Sequence, residues 1–228
     1  MSGADAVLQG KAAGTISHGR ILRYSLTERI NHWFGAIVYV YLLLTGLAFW
    51  SPYLFWLATV FGGGPSARFW HPWVGLAFFA SMIWMLSDWR DDMRITAADE
   101  EWKEKVRYYI RNEDEKLPPV GRFNWGQKLF FWVMLYATIL LLLSGIGLWF
   151  VDLIPWSLRF LRYTAIIVHV GAALITIGAF IIHVYMGTAM VRGGFTSIVR
   201  GEVSTAWAKE HHRLWYEKVI GLNLAAKR

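Results

Sequence analysis

The feature that most constrains this chain is a set of four long apolar stretches. They lie at residues 30–50, 71–88, 128–150 and 163–188, and hydrophobic residues make up 56% of the 228 residues. Each stretch approaches or exceeds the roughly 18 to 20 apolar residues that an α-helix needs to cross a bilayer. The sequence therefore predicts an all-α membrane protein, a bundle of four transmembrane helices that forms a single domain over residues 1–228.

The distribution of Lys and Arg predicts the orientation of this bundle. All but three of the 23 lie in the arm 1–29, in the loop 89–127 with the first residue of the third span, or in the tail 189–228. Because loops rich in Lys and Arg stay on the cytoplasmic side, we expect both termini there. This asymmetry accounts for the net charge of +7 without a nucleic-acid partner.

Four of the seven histidines lie inside or at the edges of the apolar spans. They are His32 in the first span, His71 in the second, and His169 and His183 in the fourth. An imidazole in hydrocarbon is costly without a partner, so each is a candidate functional group. Any one alone can be a structural histidine bonded to a backbone carbonyl. Four together, however, are the number needed to hold two haems from both faces.

Depth in the membrane pairs these histidines. The first span runs outward and the second inward, so His32 lies near the inner surface and His71 near the outer one. The fourth span also runs inward, which puts His169 in its outer third and His183 in its inner third. These two are 14 residues apart, a rise of about 21 Å that returns to within about 40° of the same face. We therefore predict an outer haem b on His71 and His169 and an inner haem b on His32 and His183.

The residues around the histidines leave several readings open. Three of the histidines share a helix face with a glycine. A glycine at such a position leaves room for a porphyrin or allows close packing of two helices. These glycines are Gly35, Gly75 and Gly187. The haem propionates are expected to meet nearby basic residues, namely Arg68, Arg159 and Arg162 outside and Arg23, Arg29, Lys128 and Arg192 inside.

The polar segments give weaker signals. An amphipathic stretch around Trp102 and Tyr109 predicts a short surface helix in the loop 89–127. In the tail, His211 and His212 are expected to contact solvent or a partner, since adjacent side chains point apart and do not suit a metal. We find no internal repeat. Cysteine is absent, which excludes thiolate-held iron–sulfur clusters and covalently attached haem.

Six local motifs surround the histidines and the start of the third span. They are R-x-x-H-W at 29–33, F-W-H-P at 69–72, V-G-R-F-N-x-G-Q-K at 120–128, I-x-x-H-V at 166–170, I-H-V-Y-M at 182–186 and W-A-K-x-H-H-x-x-W-Y at 207–216. Together they resemble the di-haem cytochrome b (gamma) subunit of membrane-bound respiratory formate dehydrogenases. The four-histidine pattern is shared with cytochrome b subunits of nickel–iron hydrogenases and thiosulfate reductases, which remain an alternative. The N-x-G-Q-K element and the tail favour formate dehydrogenase.

The resemblance implies the same histidine pairing, two haems b and a place in the bacterial inner membrane. It also implies two partners: an iron–sulfur (beta) subunit and a molybdenum- or tungsten-containing catalytic (alpha) subunit that oxidises formate. The chain would then have no catalytic residues of its own for formate oxidation. It would act as the quinone-reducing cytochrome b subunit, which passes electrons to menaquinone or ubiquinone.

The resemblance further implies quinone contacts at Asn124, Gly126, Gln127 and His183. Quinone reduction needs polar groups near the inner haem, and Asn124 and Gln127 have the depth of His183. Asn124 is equally well placed to be the N-cap of the third span.

A different class, a metal or proton transporter lined by histidine, also has to be considered. Such a protein should carry charged residues inside its spans, or broken helices and repeats. The interiors of the four spans contain no Asp, Glu, Lys or Arg. The sequence therefore favours electron transfer through haem.

Overall fold

The computed structural model describes residues 16–111 and 113–225 and is mostly helical. Four of its helices are long and apolar enough to cross a bilayer, which confirms the prediction of a multi-pass membrane protein. The predicted arm and tail extend into residues 1–15 and 226–228, which lie outside the described residues. The α-helices in chain order are α1 (Leu26–Trp50), α2 (Gly63–Trp89), α3 (Ala97–Glu104), α4 (Val106–Ile110), α5 (Trp125–Trp149), α6 (Arg159–Tyr185), α7 (Gly194–Arg200), α8 (Thr205–His211) and α9 (Arg213–Ala225).

The membrane helices are α1, α2, α5 and α6, and α2 differs most from its prediction. It begins at Gly63 rather than at residue 71, and the expected outer loop contains a 3-10 helix, Pro52–Phe61. Gly62 and Gly63 have φ angles of 82° and 90° and separate the two helices, a backbone region that favours glycine. Pro72 lies inside α2 rather than at its start. His71 is consequently more than two turns inside the helix.

The boundaries of the other membrane helices agree with prediction to within four residues. Helix α6 ends at Tyr185 and continues as a π-helical turn, Met186–Met190. Such turns are rare and are frequent at functional sites. His183 therefore lies in the last turn of α6, directly before a change in helical geometry.

The chain divides into two compact units. One unit, here the polar unit, contains the described residues up to 30, those of 88–131 and those from 183 onward. The other, the helical unit, contains residues 31–87 and 132–182. His71, His169 and His32 belong to the helical unit, whereas His183 belongs to the polar unit.

The polar unit contains a small antiparallel sheet that the all-α prediction missed. Its strands β1 (Ile16–Ser17), β2 (Arg20–Leu22) and β3 (Glu202–Ser204) lie in the order β1-β2-β3. Strands of two or three residues are too short to show alternation, and β2 pairs with a strand from the other end of the chain. Ile21 and Val203 pair across this sheet and form an apolar core with α8 and α9. The sheet thus joins the two ends of the described chain.

The loop between α2 and α5 folds into the polar unit through buried charges. The predicted surface helix is present as α3 and α4, with Trp102 only 2% exposed. Asp99 of α3 accepts a hydrogen bond from Lys128 of α5 at 2.6 Å, and both side chains are buried. Arg122 donates to Glu28 at 2.8 Å and to Asp92 at 3.0 Å. Removing one partner of such a buried pair is strongly destabilising, so these pairs fix the start of α5.

Candidate haem and quinone sites

The helical unit brings together the two histidines that depth assigned to the outer haem. The ring centres of His71 on α2 and His169 on α6 are 6.4 Å apart, with an interplanar angle of 55°. One iron bound between two imidazoles needs ring centres roughly 6.3 to 6.5 Å apart, given metal–nitrogen bonds of about 2 Å. The angle is compatible with this because the planes of two imidazoles bound to one iron can lie at any angle to each other. The pair therefore has the spacing of two axial ligands of one haem.

The Nδ1 atom of each of these histidines is hydrogen-bonded to a hydroxyl group. His71 Nδ1 lies 2.7 Å from Thr45 Oγ1, and His169 Nδ1 lies 3.0 Å from Ser144 Oγ. Thr45 donates its own proton to the carbonyl of Tyr41 at 2.8 Å, and Ser144 donates to that of Leu140 at 2.6 Å. Each hydroxyl is thus an acceptor toward its histidine.

This arrangement favours one tautomer of both rings. If Thr45 and Ser144 use their own hydrogens toward the backbone carbonyls, the Nδ1 atoms of His71 and His169 carry hydrogen. The lone pair of each neutral ring then lies on Nε2, which is the atom left to bind a metal. Fixing the tautomer in this way is the usual role of a hydrogen bond to a metal-binding imidazole.

Glycines next to the two hydroxyls leave room for the rings. A Cβ on Gly46 would lie 3.7 Å from His71 Cε1, and one on Gly145 would lie 3.3 Å from His169 Cε1. The second distance is tighter than most real contacts of a Cβ atom. A glycine beside each hydroxyl therefore lets the imidazole approach the helix backbone.

Sequence reasoning missed Thr45 and Ser144, although a signal was present. The first span reads L-L-L-T-G-L at 42–47, and the third reads L-L-L-S-G-I at 141–146. Our finding of no internal repeat overlooked this short match. Hydroxyl side chains inside a membrane span that cannot reach water are expected to bond a neighbouring helix, and this would have identified both residues.

The glycines singled out from the sequence have different roles. A Cβ on Gly35 would lie 2.9 Å from Ser81 Oγ, so Gly35 serves close packing of α1 against α2. For Gly75, no atom of the described residues outside its own helix backbone lies within 4 Å of an added Cβ. Open space thus lies on the face of α2 one turn after His71, as a flat ligand would require.

The two histidines assigned to the inner haem are placed by separate units. In the helical unit, His32 is half-buried and packs edge-on against Trp33, with ring centres 5.4 Å apart. In the polar unit, His183 stacks on Phe130 of α5, with ring centres 4.2 Å apart and planes within 8°. A stack this close fixes the orientation of the His183 imidazole. Phe130 was not identified from the sequence.

Asn124 and Gln127 form a reciprocal cap at the start of α5. Gln127 N donates to Asn124 Oδ1 at 3.0 Å, and Asn124 N donates to Gln127 Oε1 at 3.0 Å. This is a capping box in which each side chain satisfies one free backbone donor. The N-cap role considered from the sequence is present, and the cap uses only the oxygen atom of each side-chain amide.

Several basic residues proposed for the propionates are already engaged. Lys128 is bound to Asp99 and to the carbonyl of Arg94, and Arg23 is 1% exposed and lies over the ring of Trp207. Arg162 donates to the carbonyl of Ile154. Arg68, Arg159 and Arg192 are exposed, and Arg159 lies over the ring of Trp156.

His212 corrects another prediction. We expected it to contact solvent or a partner, but it is 3% exposed and its Nδ1 lies 2.8 Å from the carbonyl of Gly121. Its ring also packs on Trp207. Burial, and then the charge of Arg23, lower the pKa of His212 well below its ordinary value. His212 is a neutral structural histidine of the polar unit.

Comparison with known proteins decides the family. Residues 23–201, which include all four membrane histidines, match the family model described as prokaryotic cytochrome b561. The chain belongs to the prokaryotic cytochrome b561 family. It is therefore a membrane haem b protein, and the transporter alternative loses its support.

Several curated relatives are subunits of formate dehydrogenases. The chain is 36% identical over 200 residues to the cytochrome b556(fdo) subunit of Escherichia coli (strain K12), covering 87% of this chain and 93% of that one. It is 31% identical over 202 residues to the nitrate-inducible cytochrome b556(Fdn) subunit of the same strain, covering 87% and 91%. A formate dehydrogenase cytochrome b556 subunit of Haemophilus influenzae is also 31% identical over 202 residues, covering 88% and 84%. The family resemblance seen in the motifs is confirmed.

The buried His212 predicts how the stability of this cytochrome depends on pH. The unfolded side chain binds a proton near pH 6.5, whereas the folded one stays neutral. The contribution of His212 to the free energy of unfolding is therefore complete above that pH. As the pH falls further, this contribution decreases by up to about 1.4 kcal/mol per pH unit. We expect His212→Gln, which can still donate to Gly121, to flatten the pH dependence of the unfolding midpoint between about pH 7 and 5 relative to the wild type. His211→Gln is the control; curves for His212→Gln and wild type that run parallel would contradict this account.

Proposed function

We propose that this chain is the haem b membrane subunit of a respiratory formate dehydrogenase. In this role it carries electrons from an iron–sulfur subunit across the bacterial inner membrane to a quinone. The observation that carries the proposal is the His71–His169 pair, whose separation of 6.4 Å fits one iron. The names and high coverage of the relatives support the choice of formate dehydrogenase over the hydrogenase and thiosulfate reductase alternatives.

The residues of the outer site would hold a haem b from both faces. A haem supplies a one-electron carrier whose potential depends on its axial ligands and their hydrogen bonds. Nε2 of His71 and Nε2 of His169 would be the ligands, and Thr45 and Ser144 hold the opposite ring nitrogens. The apolar residues of the spans keep water from the site, so the neutral rings need no charged partner.

A second haem b would be held by His32 and His183. This part of the proposal rests on depth along the spans, since His169 and His183 are 14 residues apart on one helix, a rise of about 21 Å. The stacking of His183 on Phe130 supports it, because a fixed ring orientation favours a ligand. Two haems at these depths would form a path across the membrane.

The orientation and partners follow from charge and composition. The excess of Lys and Arg in the arm, the 89–127 loop and the tail favours cytoplasmic termini, which puts the His71–His169 site on the periplasmic side. With no cysteine in the chain, iron–sulfur clusters must belong to a partner subunit. Formate oxidation would take place on a further subunit with molybdenum or tungsten.

The quinone would bind at the capped start of α5, near His183 in the polar unit. The capping box leaves the amide nitrogens of Asn124 and Gln127 outside its hydrogen bonds. Gly126 lies in the first turn of α5, where a backbone N–H has no partner within the helix. These donors suit the two oxygens of menaquinone or ubiquinone, which become hydroxyl groups on reduction.

The outer site is tested by haem content. His169→Ala should reduce haem b from two to one per chain, because the remaining imidazole cannot hold the iron from both faces. His32→Ala should also leave one haem, and the double variant none. Extracted haem and the visible spectrum of the purified complex measure this, with His211→Ala as the control. Two haems in His169→Ala would contradict the assignment.

The quinone site is tested by variants that keep the cap. Asn124→Asp and Gln127→Glu retain the oxygen acceptors of the capping box but lose both amide donors. Together they should slow quinone reduction roughly tenfold or more, since each hydrogen bond contributes about 1 kcal/mol. Haem content and the unfolding midpoint should stay unchanged, whereas Asn124→Ala should lower the midpoint as well.

The rate of quinone reduction is measured on the purified complex, with formate as the electron donor. Haem content and the unfolding midpoint of the same preparations separate a loss of quinone contacts from a loss of folded protein. A wild-type rate in the double variant N124D/Q127E would show that Asn124 and Gln127 only cap α5, and the quinone site would then have to lie elsewhere.

A further inference from the structure

Two hydroxyl groups in the helical unit bind the outer histidines in the same way. Thr45 precedes Gly46 on α1, and Ser144 precedes Gly145 on α5. Each hydroxyl bonds the Nδ1 atom of a histidine on the following membrane helix. Each also donates to the carbonyl four residues earlier on its own helix. The same chain of hydrogen bonds is therefore built twice.

We propose that Thr45 and Ser144 are positioning residues that set the reduction potential of the outer haem. The inference rests on the proposed function of His71 and His169 as axial ligands. Each hydroxyl accepts a hydrogen bond from Nδ1–H, which makes the imidazole a stronger electron donor at Nε2. A stronger donor stabilises ferric over ferrous iron, so the two hydroxyls lower the potential of this haem.

The direction of the hydroxyl proton makes this effect specific. The proton of Thr45 is committed to Tyr41 O and that of Ser144 to Leu140 O, at 2.8 Å and 2.6 Å. With its hydrogen used by a backbone carbonyl, each hydroxyl accepts from the ring, which favours the Nδ1–H form of both histidines. A hydrogen bond between helices that is shielded from water keeps this arrangement stable.

The same contacts fix the angle between the two rings. Each ring is held at Nδ1 by a hydroxyl. A Cβ added to the glycine after that hydroxyl would lie 3.7 Å from His71 Cε1 or 3.3 Å from His169 Cε1. Rotation of either ring would break its hydrogen bond at Nδ1, so the interplanar angle of 55° depends on Thr45 and Ser144.

The helical unit offers a matched control on the helix that carries Ser144. Thr138 of α5 is 3% exposed and donates to the carbonyl of Met134 at 2.6 Å. It has the same bond to its own helix as Thr45 and Ser144, but it makes no hydrogen bond to a histidine among the described residues. The variant Thr138→Val therefore shows what the removal of a buried hydroxyl does when no histidine is bonded to it.

The experiment is a redox titration of the purified complex with optical and EPR detection. Thr45→Val and Ser144→Ala should each raise the potential of the outer haem. A roughly tenfold change in the ferric-to-ferrous ratio corresponds to about 59 mV for a one-electron couple. The EPR signal of the outer ferric haem, which responds to the angle between the imidazole planes, should shift as well. Thr45→Ser, Ser144→Thr and Thr138→Val should match the wild type, and so should the inner haem in every variant.

The outcomes separate this inference from the proposed function. The inference is wrong if Thr45→Val and Ser144→Ala have wild-type potentials and EPR signals, or if their potentials shift no more than that of Thr138→Val. That result would leave the assignment of His71 and His169 as axial ligands unaffected. If Thr45→Val loses the outer haem but Thr45→Ser and Thr138→Val retain it, the positioning role is supported. Retention of both haems in His169→Ala would instead overturn the proposed function itself.

Discussion

An imidazole inside a membrane needs a partner for each of its ring nitrogens, and the helical unit is organised around this requirement. His71 and His169 lie within apolar membrane helices, where an unbonded Nδ1–H would be costly. Thr45 and Ser144 satisfy these groups. What remains is one lone pair on each ring, and the two rings have the spacing that one iron needs.

These contacts also connect all four membrane helices within the helical unit. Thr45 links α1 to the histidine of α2, Ser144 links α5 to the histidine of α6, and the histidines bring α2 and α6 together. Lipid tails are as apolar as the helix surfaces, so packing and interhelical hydrogen bonds have to supply specificity. The residues of the proposed haem site therefore also contribute to the choice of neighbouring helices. A chain that lost them would lose part of the basis of its fold.

The sequence predicted the features that repeat over many residues. Helix number follows from the length of the apolar runs, and the His71–His169 pair follows from depth along them. Features that depend on a few residues were missed. The start of α2 at Gly63 is fixed by two glycines with positive φ, and the sheet of β1, β2 and β3 depends on pairing between distant segments. His212 was misjudged because its burial comes from the packing of the polar unit.

The proposed electron path depends most on two haems that histidine pairs would hold in this chain. Near-infrared magnetic circular dichroism of the ferric protein tests it directly, because the position of the band distinguishes two imidazoles from an imidazole and a methionine as axial ligands. Measured against the amount of polypeptide, the band should correspond to two haems per chain with two imidazoles each. A single such haem, or a band typical of methionine ligation, would contradict the account.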